Sequence, residues 1–301
     1  MVAFQRLAVE DLLDPYLSFP EATRKAPDTA AFVLALMIIR HFLGDEWILD
    51  NLDASSRTDG FMRLYAMEPA QEYIQNWKVI DLAEMLFNLQ SILGFEECVT
   101  QMRTEALIES SVAELDIGRM LYIHNFDFNF VKRTSVKGAD YDLEIKLDRW
   151  TVCADFKCKL ENTPITANTI IGTLTKVRSQ LPSTKPGMLF VKVPQNWMLK
   201  YLHAQLMADS ARSFFAKGSQ RIASVKFYIS PFQVSNGFVS QTHKFKEVAN
   251  PRNRFDPHRS WELFTRRAST GRPPKMLTAV PRKWLRLVNF PDSIKDYEER
   301  R

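Results

Sequence analysis

Two aspartates and a lysine stand in the stretch from Gly138 to Lys159 with a spacing that could serve chemistry. Asp155 and Lys157 are two residues apart, so on an extended strand their side chains lie on the same face. Asp142 comes earlier, on the other side of a tight turn predicted at residues 147–149. An antiparallel hairpin would bring its carboxylate beside that of Asp155. Two carboxylates and an ammonium group would then meet at one place.

Such a group suits a hard divalent cation. Mg²⁺ prefers oxygen ligands, keeps several waters, and is commonly held by one or two protein carboxylates together with phosphate oxygens. A metal of this kind lowers the pKa of a bound water and neutralises charge on a phosphodiester under attack. A neighbouring lysine can orient that water or steady the charged phosphate. The pattern therefore predicts a Mg²⁺ site, with Mn²⁺ as an alternative ion, for phosphodiester hydrolysis.

The residues around this group predict the strands that the geometry needs. Polar and apolar side chains alternate from Asp142 to Leu147, which is the period of a half-buried strand. A second alternating stretch runs from Trp150 to Lys159. Asp142 thus enters one strand, while Asp155 and Lys157 lie on the next.

Asp142 followed by Asp155-Phe156-Lys157 resembles the D…(D/E)-x-K motif of the PD-(D/E)XK nuclease superfamily, the restriction-endonuclease-like fold. The resemblance covers about residues 100–195. It implies an α/β core in the order αβββαβ, with a mixed sheet flanked by helices. It also implies Asp142, Asp155 and the carbonyl of Phe156 as metal ligands, and Lys157 as the residue that positions or activates the attacking water.

The resemblance further implies a glutamate from the helix before the first strand. The sequence predicts that helix over residues 100–118, with Gly118 as its end. Its buried stripe is predicted to contain Ile108, Val112 and Leu115. Glu109 flanks this stripe and is the first choice for the catalytic and metal-binding glutamate. Glu105 is the second, and Glu114 is predicted to point away.

The elements that should follow are recognisable in order, although Tyr141 stands where the superfamily has the proline of its name. A continuous apolar run at residues 187–193 is typical of a strand buried on both faces. An added helix and strand would extend the sheet. The predicted elements are a strand at 126–131, a helix at 166–181, a strand at 187–193, a helix at 196–217 and a strand at 221–230.

Residues 1–98 predict an all-α N-terminal domain, followed by a nuclease-like domain at 99–301 with a basic C-terminal extension. One helix is predicted from Pro27 to Phe42, ending at Gly44. Its inner side is predicted to carry Phe32, Leu36 and Ile39. Further helical segments are predicted from Pro69 to Leu93, after a polar loop at 52–60. This domain carries no recognisable metal or nucleotide motif and is expected to pack on the core, on another subunit or on a partner protein.

Charge is distributed unevenly along the chain. Residues 1–100 hold 7 Lys/Arg and 16 Asp/Glu, whereas residues 161–301 hold 24 Lys/Arg and 9 Asp/Glu. Basic residues interleaved with aromatic ones suit phosphate contact and base stacking. Nucleic acid, DNA rather than RNA, is therefore the predicted partner. The predicted contacts are Lys176, Arg178, Arg252, Arg254, Arg266, Arg267 and Arg272.

Other function classes find little support. Three cysteines give no disulfide framework and favour a reducing, cytoplasmic setting. The longest apolar run, residues 30–39, is far too short to cross a membrane. No P-loop, nucleophile elbow or paired zinc-ligand spacing occurs. The superfamily's exonuclease branch often has Gln and Tyr four apart on the helix after the motif, but Gln180 has no such tyrosine.

Two alternatives to an endonuclease remain open at this point. Many members of the superfamily keep the fold and lose catalysis, so the chain is alternatively a catalytically inactive nucleic-acid-binding or scaffolding subunit. The helical domain also suits one component of a larger defence, repair or mobile-element complex. Cleavage of both strands would favour a homodimer.

Overall fold

A computed structural model describes residues 5–52, 69–104, 108–132, 136, 138–160, 163–235, 238–259 and 261–264. The chain divides into two compact units. Among the described residues, the first unit takes those within 5–91 and 99–108, and the second takes those within 92–98 and 109–264. The predicted domain boundary at residues 98 and 99 lies inside a helix, Phe95–Thr104.

The first unit is helical throughout its described part. Pro27 occupies the first turn of the third helix, where its missing N–H is not needed, and Gly44 ends that helix with a φ of 91°. The helices are α1 Glu10–Ser18, α2 Glu21–Arg24, α3 Pro27–Leu43, α4 Asp45–Leu52 and α5 Pro69–Leu89, followed by α6 Phe95–Thr104. The predicted helices of this region are thus confirmed, while residues 53–68, which include most of the predicted polar loop, lie outside the described part.

The buried side of α3 differs in detail from the prediction. Ile39 is buried as expected, but Phe32 and Leu36 are only half-buried. The fully buried stripe contains Ala31, Leu34, Ala35, Ile38, Ile39 and Phe42. Helix α5 packs against α3, and the two alanines contribute small side chains to the buried stripe.

The second unit is built on a six-stranded mixed sheet in the order β1-β2-β3-β4-β5-β8. Strands β1 to β3 are antiparallel, β3 to β5 are parallel, and β8 returns antiparallel to β5. Its elements are α7 Ile108–Ile123, β1 Asp127–Phe130, β2 Leu143–Leu147, β3 Trp150–Cys158, α8 Ala167–Arg178, β4 Gly187–Lys192, α9 Gln195–Leu199, α10 Tyr201–Ala216, β5 Ile222–Ile229, β6 Phe232–Ser235, β7 Phe238–Gln241 and β8 Lys244–Ala249. The predicted α/β class and the order helix, three strands, helix, strand are confirmed.

Helices cover both faces of this sheet. On one face, a single apolar core joins Cys153 and Leu189 of the strands to Leu174 and Val177 of α8 and to side chains of α10. On the other face, the phenol of the β5 residue Tyr228 donates to the carbonyl of Ala113 in α7, 3.1 Å away. Each strand alternates between the two cores, which is why β4 and β5 are apolar almost without interruption.

The prediction of one helix over residues 100–118 was wrong. Two helices, α6 and α7, occupy this stretch, and α7 continues through Gly118 to Ile123. A glycine inside a helix costs about 1 kcal/mol relative to alanine. Burial of Ile117 and Leu121 on either side outweighs that cost. The predicted helix at 196–217 is likewise two helices, which meet at Lys200.

The glycine between α5 and α6 has a specific packing role. Gly94 has a φ of +81°, and a Cβ there would lie under 3.0 Å from the carbonyl oxygen of Phe130. Gly94→Ala should therefore lower the free energy of unfolding by about 1–3 kcal/mol. Urea denaturation followed by tryptophan fluorescence would measure the change. Gly172→Ala, in α8 with nothing within 4 Å of the added carbon, is the control and should instead raise stability by about 0.5–1 kcal/mol. Equal stability of the Gly94 variant and the parent would contradict the packing role.

No helix in the described part of the chain is both long enough and apolar enough to pass through a bilayer.

Candidate active site

The β2–β3 hairpin is tight and its register is fixed. Leu147 pairs with Trp150, so only Asp148 and Arg149 form the turn. Asp148 has a φ of 52°, a left-handed conformation that aspartate tolerates better than most residues. Leu143 pairs with Ala154 at the other end of the hairpin. The predicted hairpin is confirmed, including the position of its turn.

Asp142 lies one residue beyond the paired part of β2, which ends where Leu143 pairs with Ala154. The amide of Asp142 donates to the carbonyl of Ala154 at 3.0 Å, and the amide of Phe156 donates to Oδ2 of Asp142 at 2.8 Å. The Asp142 carboxylate therefore lies against the backbone of β3 at Phe156, the residue that follows Asp155.

Both carboxylates are buried, whereas the side chain of Lys157 is partly exposed. The exposed fraction is 2% for Asp142 and 0% for Asp155. The Lys157 ammonium lies 2.9 Å from Oδ1 of Asp155, and its side chain is 26% exposed. The ammonium is thus held against one carboxylate while remaining within reach of a ligand from outside.

The backbone of Phe156 contributes to the same place. Backbone N–H and C=O groups alternate between the two edges of a strand, and the amide of Cys153 bonds toward β4, to the carbonyl of Pro186. Phe156 comes three residues after Cys153, so its N–H and C=O groups are directed toward β2 instead. Its amide already bonds Asp142. Its carbonyl is directed to the same edge, past the end of the β2–β3 ladder.

The predicted helix glutamate does not complete this group. Glu109 lies half-buried in the first turn of α7. Within the described residues, no three His, Cys, Asp or Glu side chains are arranged so that they could hold a metal ion. Glu105 falls outside the described part. Glu114, predicted to point away, is in fact buried, so that part of the helix prediction was wrong.

Residues beside Asp142 that were not predicted as part of the site stabilise its strand. The hydroxyl of Tyr141 donates to Oε1 of Glu144 at 2.8 Å, and the same oxygen lies 2.7 Å from the ammonium of Lys185. Burial raises the pKa of Glu144, but the hydrogen bonds from Lys185 and Tyr141 outweigh it, so the pKa lies below its ordinary value. The alternation of β2 could have suggested Glu144. Lys185 comes from a distant loop and gave no such signal.

The predicted nucleic-acid contacts lie in three regions. Lys176 is exposed and Arg178 half-buried in the last turn of α8. Arg252 and Arg254 are exposed just after β8. Arg266, Arg267 and Arg272 lie outside the described residues.

A separate charged cluster lies at the carboxyl ends of β4 and β5, centred on Asp116 of α7. His243 Nε2 lies 2.9 Å from its Oδ1, Lys192 Nζ lies 3.7 Å from its Oδ2, and Arg119 and Ser230 also hydrogen-bond it. Burial by itself raises the pKa of Asp116, but the charges of His243, Arg119 and Lys192 outweigh it. The pKa is therefore held well below its ordinary value of 3.8. Four distant segments build this cluster, so no local pattern could have predicted it.

The Asp116 cluster predicts a specific pH dependence of stability. A carboxyl group whose pKa is depressed on folding stabilises the fold above its unfolded value and loses that contribution as pH falls through its folded value. Asp116 should therefore contribute fully above pH 3.8 and progressively less below it. Asp116→Asn should lower the free energy of unfolding at neutral pH. It should also make that free energy fall less steeply as the pH drops below 3.8. Urea denaturation between pH 2 and pH 7 would measure both effects, with the exposed Asp209→Asn as control for charge alone. If the free energy of unfolding of the Asp116→Asn variant depended on acidic pH as that of the parent does, this role of Asp116 would be contradicted.

No protein-family model matches this chain, and no curated protein matches it either.

Proposed function

We propose that this chain is a metal-dependent nuclease of the PD-(D/E)XK kind, which hydrolyses phosphodiester bonds of nucleic acid, DNA in preference to RNA. The observation that carries the proposal is the hairpin register. It places Oδ2 of Asp142 2.8 Å from the amide of Phe156, the residue between Asp155 and Lys157, and the Lys157 ammonium lies 2.9 Å from Oδ1 of Asp155. The order of elements from α7 to β4 agrees with a restriction-endonuclease-like core.

The donor set fits a small hard cation. Two carboxylates and the carbonyl of Phe156 supply oxygen ligands only, which suits Mg²⁺ and, as a substitute, Mn²⁺. A third carboxylate is not required, because Mg²⁺ commonly retains several waters and takes phosphate oxygens from its substrate. Bound there, the cation would lower the pKa of a water and neutralise charge on the phosphate.

Each residue of the site has a distinct role in this proposal. Asp142 and Asp155 hold the cation, and the amide of Phe156 fixes the orientation of the first carboxylate. Lys157 positions the attacking water and offsets the negative charge that develops on the phosphate. Its partial exposure matters here, because the ammonium is the member of the group that a substrate phosphate can approach from solvent.

A second candidate function has one observation in its favour. Asp155 is fully buried and ion-paired with Lys157, which is also what a purely structural pair would show. On this alternative the chain is an inactive nucleic-acid-binding or scaffolding subunit of a defence, repair or mobile-element complex. Its helical first unit would then bind a partner protein or a second copy of the chain.

A cleavage assay with the purified chain separates the two candidates. Supercoiled plasmid, linear duplex DNA, single-stranded DNA and RNA would each be incubated with Mg²⁺, with Mn²⁺ and with EDTA. The nuclease proposal expects cleavage of at least the DNA substrates in either metal and none in EDTA. Binding without cleavage in both metals would instead support the inactive subunit.

A further inference from the structure

Three arginines come together at the amino-terminal end of the parallel strands. Arg178 ends α8, Arg221 immediately precedes β5, and Arg254 follows β8. The backbone amide of Arg254 donates to the carbonyl of Gln220, so it is fixed next to Arg221. The Arg221 guanidinium donates to the carbonyl of Arg178. We call these three residues the arginine cluster.

Among the residues that the structure describes, the arginine cluster has no carboxylate counter-ion. Its guanidinium groups donate to neutral oxygens: Arg178 to the Ser219 hydroxyl at 3.0 Å, Arg221 to the Arg178 carbonyl, and Arg254 to the Ser183 carbonyl. In the described part of the chain, none of the three forms an ion pair with a carboxylate. Other basic residues of this unit, such as Arg212 and Arg259, do have one.

Electrostatics supports the same conclusion. Burial and then the positive charges of Arg178 and Arg254 lower the pKa of Arg221, so the folded protein holds these cations together at a cost. Capping the C-terminus of α8 does not account for the cluster. The helix dipole presents only about half a negative charge there, whereas three full positive charges gather around it. A bound anion would relieve this excess.

The cluster lies on the same side of the sheet as the candidate active site. Helix α8 packs on the face that carries Cys153, and Asp155 and Lys157 share that face by alternation. Strand register places Arg221 about five residues from Lys157 along the strands and two strands away, roughly 15–20 Å in all. This distance corresponds to about five base pairs of duplex.

Two further cations lie near these sites. Lys176 is exposed on α8, two residues before its end at Arg178, and Lys159 follows β3 directly, two residues beyond Lys157. Burial and then the charge of Lys176 lower the pKa of Lys159, so these two ammonium groups lie within electrostatic range of each other. Lys176 therefore adds a positive charge beside Arg178 that is also within electrostatic range of the carboxyl end of β3.

We infer that Arg178, Arg221 and Arg254 form a phosphate-binding site for the backbone of a nucleic acid that runs along α8, with Lys176 beneath it, toward Lys157. The inference deepens the proposed function by assigning the substrate's path and its anchoring phosphates. The site acts through backbone contacts, so it binds without reading sequence. It needs no metal, which makes it testable apart from catalysis.

The test measures binding in EDTA. A fluorescently labelled 30-base-pair DNA duplex would be titrated with the parent chain and with Arg178→Gln/Arg254→Gln, by anisotropy at several salt concentrations. Each lost phosphate contact should reduce the slope of log affinity against log salt by about 0.9 and weaken binding about 5-fold near 0.15 M salt. The double variant should thus bind roughly 25-fold more weakly, with its slope reduced by nearly 2.

Two further variants keep the result interpretable. Arg212→Gln removes an exposed arginine of the same unit that is already paired with Asp209, and it should bind as the parent does. Arg178→Lys/Arg254→Lys keeps both charges and should restore most of the affinity and the salt slope, even if the glutamine variant folds poorly. A labelled RNA duplex in a parallel series shows which nucleic acid the site prefers.

Parental affinity and slope in the glutamine variant would overturn the inference, as would a lysine variant that binds as weakly as the glutamine one. Failure of the proposed function gives a different result. In that case no substrate is cleaved in any metal, while binding in EDTA still depends on the arginine cluster.

Discussion

Asp155→Asn should abolish Mg²⁺-dependent cleavage while leaving the chain folded. The substitution keeps the size of the side chain but removes the charge that would hold the cation and that now attracts Lys157 across 2.9 Å. Loss of one pre-positioned charged or polar group in an active site commonly costs 10²–10³-fold in rate, so a loss of at least about 10²-fold is expected. Initial rates of plasmid nicking in Mg²⁺ would measure it. Lys157→Ala should produce a loss of the same order, because it removes the group that positions the water.

The same hairpin provides a matched control. Asp148 lies in its turn, six residues from Asp142 and seven from Asp155 along the chain, and is paired with Arg259 at 2.5 Å. Asparagine also tolerates the positive φ at this position, so Asp148→Asn should retain the parental rate. Undiminished cleavage by either the Asp155 or the Lys157 variant, with the control equally active, would reject the assigned site. Circular dichroism of each variant would confirm that the fold survives.

The largest effect on stability is expected at the other side of the sheet, from Glu247→Ala. Lys226 of β5 and Glu247 of β8 are both fully buried, with 2.6 Å between Nζ and Oε1. Glu247 also accepts hydrogen bonds from the amides of Leu263 and Phe264 at 3.0 and 3.2 Å. Removing one partner of a buried ion pair leaves an uncompensated charge, and such changes commonly cost about 3–5 kcal/mol. Urea denaturation at pH 7 would measure the loss.

An exposed pair of the same unit is the control for this experiment. Asp209 and Arg212 lie 2.6 Å apart on α10, with both side chains more than half exposed. Pairs in such surroundings contribute about 0–1 kcal/mol, so Asp209→Ala should change stability little. A Glu247→Ala variant no less stable than the Asp209→Ala variant would show that the buried pair does not stabilise the sheet.

Short-range patterns in the sequence predicted much of the sheet and its central hairpin. The alternation on either side of Asp148 and Arg149 predicted two strands and the turn between them, and counting outward from that turn predicted that Asp142 lies near Asp155-Phe156-Lys157, where its carboxylate accepts from the amide of Phe156. The apolar run of β4 predicted a strand buried on both faces, as observed. These predictions succeeded because backbone geometry within a hairpin or strand depends on few residues.

Features that depend on long-range packing were not predictable in the same way. Gly118 was taken as a helix end, yet burial of its neighbours carries α7 past it to Ile123. The stripe of α7 was placed correctly at Val112 and Leu115, but Glu114 proved buried as well because the helix is covered on more than one side. The arginine cluster joins the end of α8 to residues more than forty positions later. No spacing in the sequence indicates such a meeting.

The two-residue turn at Asp148 and Arg149 has a consequence for how this site could change over time. Side chains on a strand alternate with a period of two, so one residue inserted into a hairpin that keeps its two-residue turn would shift the pairing by one and send Asp142 to the opposite side of the sheet from Asp155. Two inserted residues would restore the side but displace the partner by one step along the strand. Loop length is therefore under the same constraint as the acidic residues themselves, although no atom of the loop need touch a substrate.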